Sequence, residues 1–170
     1  MNLLLVALLG GCSGLRACTP MAVLCWFAWR GTLHFSGWRS FTASLLAVII
    51  FTVFALLELA ADKSPTAPAR TALPGLAARA MFGAFAALLL AQPLLLQPAT
   101  AMIAAAIGAI VGAYAGWFVR MRTVAALKSA DWPVAVTEDA VTIGLSITFL
   151  HLMAVHSTLF LGNQGIGFGR

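Results

Sequence analysis

Long apolar runs separated by short polar segments dominate the pattern along this chain. The runs cover approximately residues 2–29, 40–61, 74–96, 99–118 and 134–155. At 1.5 Å per residue, a helix formed by any of these runs is about 30 Å long or longer, which matches the hydrocarbon core of a bilayer. The pattern therefore predicts an all-α transmembrane fold, a compact bundle of about five hydrophobic helices.

The first apolar run is longer than one crossing requires, and it is interrupted. As one helix it would extend about 42 Å, but Arg16, Pro20 and glycines at positions 10, 11 and 14 break the pattern. The interruption predicts either one long, kinked helix or two half-helices that meet near residues 14–20. A broken helix at membrane depth requires protein or a water-filled cavity around its freed backbone. Two half-helices would therefore be typical of a binding site.

Polar and proline-rich segments separate the apolar runs. The predicted loops and linkers are residues 30–39, 62–74 and 120–132. The second of these contains three prolines, which cannot continue a helix. We also expect a kink at Pro93 and a tight turn at residues 97–98. These boundaries indicate a single transmembrane helical domain, residues 1–155, followed by a glycine-rich tail, residues 156–170.

The composition supports a lipid environment. Hydrophobic residues make up 62% of the chain and charged residues 9%, against roughly a quarter charged in ordinary globular domains. So few charges cannot supply a polar face to every helix, and the apolar surface must face lipid. The net charge is +5, but the basic residues are scattered and no nucleic-acid-binding motif is present. The predicted partner is therefore the lipid bilayer and not nucleic acid.

The distribution of lysine and arginine predicts an orientation. If the chain crosses five times, one side holds five basic residues, which are Lys63, Arg70, Arg120, Arg122 and Lys128. The other side holds three, which are Arg30, Arg39 and Arg170. Because basic loops favour the cytoplasm, this count places the N-terminus in the cytoplasm. If the first apolar run is instead a re-entrant hairpin, every later assignment reverses.

The fourth apolar run carries a stripe of small residues. Gly108, Gly112 and Gly116 follow one another at intervals of four, which places them on one helix face. In lipid, such a face lets helix backbones approach closely. We predict that the stripe packs against another helix, either in the same chain or in a second chain.

Six ionisable residues within or beside the apolar runs are the candidate site residues. They are Arg16, Glu58, Asp62, Arg79, Glu138 and Asp139. Charges at membrane depth are costly, so such residues normally face the bundle interior and pair. They predict either a polar path through the bundle or ion pairs that hold its helices together. Because an arginine precedes two acids in each half of the chain, the order also indicates an internal pseudo-repeat.

Neither metal binding nor enzymatic chemistry is indicated. Cys12, Cys18 and Cys25 form no Cys-x-x-Cys pair, and the spacing of His151 and His156 puts them on different helix faces. No nucleophile, zinc-protease or phosphate-binding motif is present. We therefore expect no metal, no cofactor and no catalytic residues.

Four short motifs resemble those of a known bacterial family. They are Gly14-Leu15-Arg16-Ala17 with Pro20, the stretch LELAADKSP at 57–65, Arg79-Ala80 with Gly83-Ala84, and Glu138-Asp139. Their order is similar to that of the family filed as domain of unknown function 4126, over about residues 10–145. Two departures are Ala80, where the family has proline, and the loop at 120–132, which lacks the usual His and Lys pattern. The resemblance implies a small multi-spanning protein of the bacterial inner membrane and supplies no function.

Two functions fit these features. In the first, the protein is a transporter or channel for an ion or small solute, and the six ionisable residues form its polar path. In the second, it is a non-transporting accessory or structural subunit of a larger membrane complex, and the glycine stripe contacts its partner. A homo-oligomer of this chain alone would favour the first function. The charged residues distinguish the two functions. A polar path requires that they converge on a wet cavity, whereas a structural role needs only dry ion pairs.

Overall fold

The computed structural model describes residues 1–61, 72–127 and 131–163, which form helices joined by loops and contain no strand. The helices are α1 (Asn2–Leu15), α2 (Thr19–Trp29), α3 (Leu45–Ala61), α4 (Leu73–Leu90), α5 (Pro98–Leu127) and α6 (Asp131–Asn163). A short 3₁₀ helix, Gly37–Ala43, precedes α3. The predicted all-α bundle is therefore confirmed.

The helices α1 and α2 form a hairpin whose tip is Arg16 and the two residues after it. Arg16 leaves the helical conformation (φ −142°, ψ 111°), and the chain reverses there. Both open ends of the hairpin lie beside the end of α4. The Asn2 side chain donates a hydrogen bond to the Leu94 carbonyl oxygen (3.4 Å), and the backbone N–H of Ser36 donates to the Gln92 side chain (3.4 Å). Of the two alternatives for the first apolar run, the pair of half-helices is therefore correct.

The remaining helices run alternately between the two ends of the bundle. Helix α3 runs from the open end of the hairpin back to its tip, since Trp26 Nε1 donates to Thr52 Oγ1 (3.1 Å) and Glu58 lies at the tip. Helix α4 then returns, α5 runs toward the tip again, and α6 returns once more. We call the end where α3 finishes and α4 starts the linker end, and the opposite end, which contains Met1, the N-terminal end.

Within the described residues, three helical segments are long and apolar enough to cross a membrane, namely Leu73–Leu90, Pro98–Ala126 and Pro133–Ser157. The 3₁₀ helix and α3 satisfy the same criteria together, with a bend of 63° between them. Helices α1 and α2 have 14 and 11 residues, or about 21 and 16 Å, so each is shorter than a hydrocarbon core. These apolar helices suggest a membrane protein, and the five predicted elements correspond to the hairpin and four longer segments.

Proline ends the fourth helix where the sequence predicts only a kink. Helix α4 stops at Leu90, and residues 91–95 form turns in which Leu95 has a positive φ of 53°. Pro93 lacks a backbone N–H and disfavours helical geometry in the residue before it. Because the chain must reverse direction here, the helix ends instead of continuing past the proline.

The last two helices are longer than predicted. Helix α5 continues to Leu127, through most of the predicted loop at 120–132. No glycine or proline lies in this segment before Pro133, and its alanine, methionine and arginine residues favour helix. Helix α6 extends to Asn163, into the predicted tail, and residues 164–170 lie outside the described part of the chain.

Helix α1 is the centre of the bundle and contacts α4, α5 and α6. It meets α5 backbone to backbone. A methyl group added at Gly108 would overlap the carbonyl oxygen of Ala7, and one added at Gly112 would overlap that of Gly11. Gly116 meets the side chain of the last residue of α1 in the same way. The glycine stripe therefore packs within the chain, and α1 and α5 run parallel.

An apolar core fills the N-terminal half of the bundle. It contains buried side chains from α1, α2 and α6, among them Leu5, Val6, Leu9, Leu24, Leu150 and Met153. Each is at most 8% exposed. Among the described residues, the buried charged side chains, which are Arg16, Arg79 and Asp139, lie instead toward the other end of the bundle.

Candidate functional site

The hairpin tip places a buried arginine against an acid of α6. Arg16 is 0% exposed and Asp139 is 6% exposed. The Nε atom of Arg16 donates a hydrogen bond to Asp139 Oδ1 (2.7 Å), and Nη2 forms an ion pair with the same oxygen. A lone buried charge is strongly disfavoured, so each of these residues makes the burial of the other tolerable.

Glu58 of α3 binds the backbone of the tip. Its carboxylate accepts hydrogen bonds from the N–H groups of Ala17 (2.7 Å) and Cys18 (2.8 Å). In an unbroken helix these groups would donate to carbonyl oxygens four residues earlier. Glu58 therefore replaces helical hydrogen bonds at the break. The sequence indicates a path or ion-pair role for Glu58 but gives no sign of this contact with the backbone.

The break places each charge at the favourable end of a helix. Arg16 follows the last residue of α1, where the helix dipole is negative, and Glu58 lies at the start of α2, where the dipole is positive. Pro20 lies in the first turn of α2, where a missing N–H removes no helical hydrogen bond. Half-helix ends arranged in this way bind ions and charged groups in broken-helix transporters.

Arg79 of α4 lies at the same level of the bundle as the tip. It is 8% exposed and precedes Gly83 by one helical turn. A Cβ atom added at Gly83 would lie 3.4 Å from the Cβ of Ser13, close to the end of α1. Two positive side chains, Arg16 and Arg79, therefore lie at this level together with two negative ones, Glu58 and Asp139. Asp62, another predicted site residue, lies outside the described residues.

Glu138, the neighbour of Asp139 in the sequence, lines a cavity. Its Oε2 atom is 3.7 Å from Nη1 of Arg120, and these side chains are 12% and 16% exposed. The cavity lies between α5 and α6 near the linker end, has a volume of about 340 Å³ and is also lined by Leu15. Leu15 and Glu138 each directly precede a member of the buried pair in the sequence. The cavity therefore reaches the hairpin tip.

Arg120 is a site residue that sequence reasoning missed. The sequence pattern predicts a loop at this position, whereas Arg120 lies in α5, one helical turn after Gly116. A Cβ atom added at Gly116 would lie 3.2 Å from Glu138 Oε1. The sequence does contain a usable pattern, since Arg120 continues the four-residue spacing of the glycine stripe.

A row of buried hydroxyl groups continues from Asp139 along α6. Thr142 and Ser146 are both 0% exposed, and their hydroxyls donate to backbone carbonyl oxygens four residues earlier (2.8 and 2.7 Å). Ser13 of α1 is 1% exposed, and its hydroxyl has no hydrogen-bond partner among the described residues. Sequence reasoning missed this row as well. Its spacing, three and seven residues after Asp139, places the groups on one helix face.

The structure thus brings Arg16, Glu58 and Asp139 together, with Arg79 at the same level and Glu138 in the adjoining cavity. In the described part of the chain, no group of three or more His, Cys, Asp or Glu residues could hold a metal ion. The pseudo-repeat stays a prediction, since the buried pair joins the arginine of the first half to an acid of the second.

Comparison with known proteins agrees with the four sequence motifs. Neither the curated proteins nor the solved structures gave a significant match. A family model does match, over residues 3–162, a range that contains the hairpin tip and every acid and arginine of the candidate site. Because the match covers nearly the whole chain, this protein belongs to the family described as Domain of unknown function (DUF4126).

Proposed function

We propose that this protein is a small transporter or channel for an ion or small solute, and that it crosses the bacterial inner membrane several times. The observation that supports this function is the hairpin tip, a helix break where charged residues of three segments meet beside a cavity. A break inside an apolar bundle frees backbone groups and buries charges, both of which are costly in lipid. Such features mark ion and solute pathways in membrane proteins.

In this proposal α3, α4, α5 and α6 cross the bilayer, and the α1–α2 hairpin enters it from the N-terminal end. Exposed aromatic residues at two levels fit the two membrane interfaces. They are Trp26, Trp29 and Trp38 at the N-terminal end, and Tyr114 and Trp117 toward the linker end. From the start of α5 at Pro98 to Trp117 the helix rises about 28 Å, close to the thickness of a hydrocarbon core.

The hairpin reverses the orientation that five crossings would give. The basic residues flanking the linker end outnumber those at the N-terminal end by five to three. Basic segments favour the cytoplasm, so the linker end is cytoplasmic and the N-terminus lies on the outer side. The cavity beside Arg120, which lies about one helical turn beyond Trp117, is then at the cytoplasmic interface of the membrane.

The arrangement corresponds to a closed conformation with two barriers. The pair of Arg16 and Asp139 separates the cavity from the row of buried hydroxyl groups. The apolar core at Leu24, Leu150 and their neighbours closes the N-terminal half. A solute that enters the cavity must part the ion pair before it reaches the hydroxyl groups, and the hairpin must move before it can leave on the other side.

The test is flux into proteoliposomes that contain the purified full-length protein. The probes are protons, sodium, potassium and chloride, each read with an ion-sensitive dye. We expect flux of at least one probe above that of empty liposomes, and loss of this flux in Glu58→Gln and Asp139→Asn. Arg122→Gln is the matched control, because Arg122 is exposed and lies over the Phe118 ring (4.6 Å) away from the tip. Absence of flux for every probe, or full flux in Glu58→Gln, would contradict the assigned role.

One observation favours the second function, that of an accessory subunit. The side chains of Arg16 and Asp139 are 0% and 8% exposed. They therefore form a dry ion pair, the arrangement that a structural role needs. The glycine stripe cannot then be the contact with the partner, because it packs on α1. A partner would instead cover α3, where Leu46, Ile49 and Leu57 are each more than half exposed.

Native mass spectrometry of the protein extracted gently from its own membranes separates the two functions. A stoichiometric complex with other chains, lost on Leu46→Gln but kept on Ile107→Gln in α5, would favour the accessory role. A single chain or a homo-oligomer would favour the transporter. The variant Gly112→Leu is unsuitable for this purpose, because it would disrupt the α1–α5 contact inside the chain.

A further inference from the structure

A groove runs along α2 between α3 and α6, with a volume of about 390 Å³. Its floor is one face of α2, and its apolar lining includes Val23, Phe27, Ala55, Leu56, Ile143 and Ile147. The groove exists because α3 packs on α2 and on the 3₁₀ helix while α6 packs on the other side of α2. Helix α2 therefore holds α3 and α6 apart, and the space between them faces lipid.

The groove is long, most of its lining side chains are apolar, and a positively charged residue lies at one end. It extends along α2 from Thr19 to Arg30, a rise of about 16 Å. Thr19 is only 4% exposed, so this end is deep. Arg30 is exposed at the N-terminal end, beside Trp26 and Trp29, the residues that mark the membrane interface.

We infer that this groove binds one acyl chain of an anionic phospholipid, with the lipid phosphate at Arg30. An apolar groove inside a bilayer loses dispersion contacts unless a chain fills it. Arginine binds phosphate through paired, charge-assisted hydrogen bonds, and basic residues at the membrane surface attract anionic head groups. The length of the groove places a head group at the interface when its chain lies against α2.

The bound lipid would also connect α3 to the rest of the bundle. Among the described residues, α3 packs mainly on α2 and the 3₁₀ helix, so its position depends on what fills the groove. The Thr19 end of the groove adjoins the hairpin tip, but the inference rests on the groove and on Arg30 and does not depend on the transport proposal.

The experiment is native mass spectrometry of the full-length protein in detergent, titrated with phosphatidylglycerol or phosphatidylcholine carrying the same acyl chains. We expect one phosphatidylglycerol per chain, retained about five-fold better than phosphatidylcholine, since one basic residue at an anionic head group gives a preference of this order. Arg30→Gln should remove the preference. Arg39→Gln should keep it, because Arg39 carries the same charge at the same end but lies over Trp38 (5.0 Å) and outside the groove.

A second pair of variants tests the acyl chain. Ile147→Trp should fill the groove and abolish retention of both lipids, and Ile143→Trp serves if that variant fails to fold. Ile107→Trp, on an exposed face of α5 (57% exposed), should leave retention unchanged. Equal retention of the two lipids, an equal effect of Arg39→Gln, or retention that survives a filled groove would each overturn the inference. A protein chain bound in place of lipid and released by Ile147→Trp would overturn it too.

Discussion

Replacing Gly112 with alanine tests the contact on which the whole bundle is built. The new Cβ atom would lie 2.8 Å from both the Cα and the carbonyl carbon of Gly11, and closer still to its carbonyl oxygen. These are backbone atoms of the central helix, and they cannot rotate out of the way as a side chain can. The substitution therefore forces α1 and α5 apart.

The size of the effect follows from that separation. Ordinary contacts of a Cβ atom begin at 3.4 Å, so the helices must separate by about 0.6 Å or more at Gly112. A gap of about 0.5–1 Å removes a quarter to a half of the dispersion energy of the atoms concerned. Overpacking of this kind costs about 1–3 kcal/mol in free energy of unfolding.

Gly144 provides the matched control, because a Cβ atom added there meets nothing within 4 Å. Gly144→Ala in the interior of α6 should stabilise the protein by about 1 kcal/mol through helix propensity. Gly11→Ala, whose Cβ atom would lie 3.7 Å from the nearest oxygen, should be tolerated as well. Because both substitutions gain the same helix propensity, Gly112→Ala should be less stable than Gly144→Ala by the overpacking cost alone, about 1–3 kcal/mol.

The assay is unfolding in mixed micelles by titration with sodium dodecyl sulfate, followed by circular dichroism and tryptophan fluorescence. Gly112→Ala should unfold at lower detergent fraction than the wild type, and Gly144→Ala at higher. If Gly112→Ala proved as stable as Gly144→Ala, the close parallel packing of α1 on α5 would be wrong. The central position of the hairpin would then have no support.

Three further predictions concern the tip and the path of the chain. Arg16→Met should lower the free energy of unfolding by about 3–5 kcal/mol because it leaves the buried Asp139 without its partner, and adding Asp139→Leu should recover most of that loss. If the double variant were no more stable than Arg16→Met, the loss would not come from breaking the ion pair. Glu58→Gln should lower the free energy of unfolding by about 1–2 kcal/mol in the same titration, since glutamine keeps one acceptor oxygen for two N–H donors. An unchanged unfolding midpoint would argue against the hydrogen bonds from Glu58 to the backbone of the tip. Single cysteines at Asn2 and Ser36, in a background without native cysteines, should react with an impermeant maleimide from the same face of the membrane, whereas labelling from opposite faces would contradict the hairpin.

Much of the architecture is readable from the sequence because lipid imposes strong local rules. Every apolar run of adequate length became a helix or a helix pair, and the chain turns between α4 and α5, just before Pro98. Most of the predicted linker, residues 62–71, lies outside the described part of the chain. The position of the break near Arg16 was also readable, since a charge, a proline and several glycines coincide there. The errors at Pro93 and after Arg120 have one cause. Local composition does not show whether the chain must turn or can continue as a helix.

The pairing of the site residues was not readable. Arg16 and Asp139 are separated by 123 positions, and Glu58 reaches backbone groups 40 and 41 positions away. In a soluble protein, the apolar face of each helix narrows the choice of neighbour. Here every face is apolar, so hydropathy leaves all arrangements of the helices equally acceptable.

The sequence by itself therefore determined the class of protein, the number of hydrophobic elements, the site of the break and the identity of the charged residues. Only the tertiary structure decided that the break at Arg16 is a hairpin, and with it the side of the membrane proposed for each loop. The physical reason is close packing: the contact between Gly112 and Gly11 fixes α1 against α5, and that fixed position determines which charges at the tip can meet.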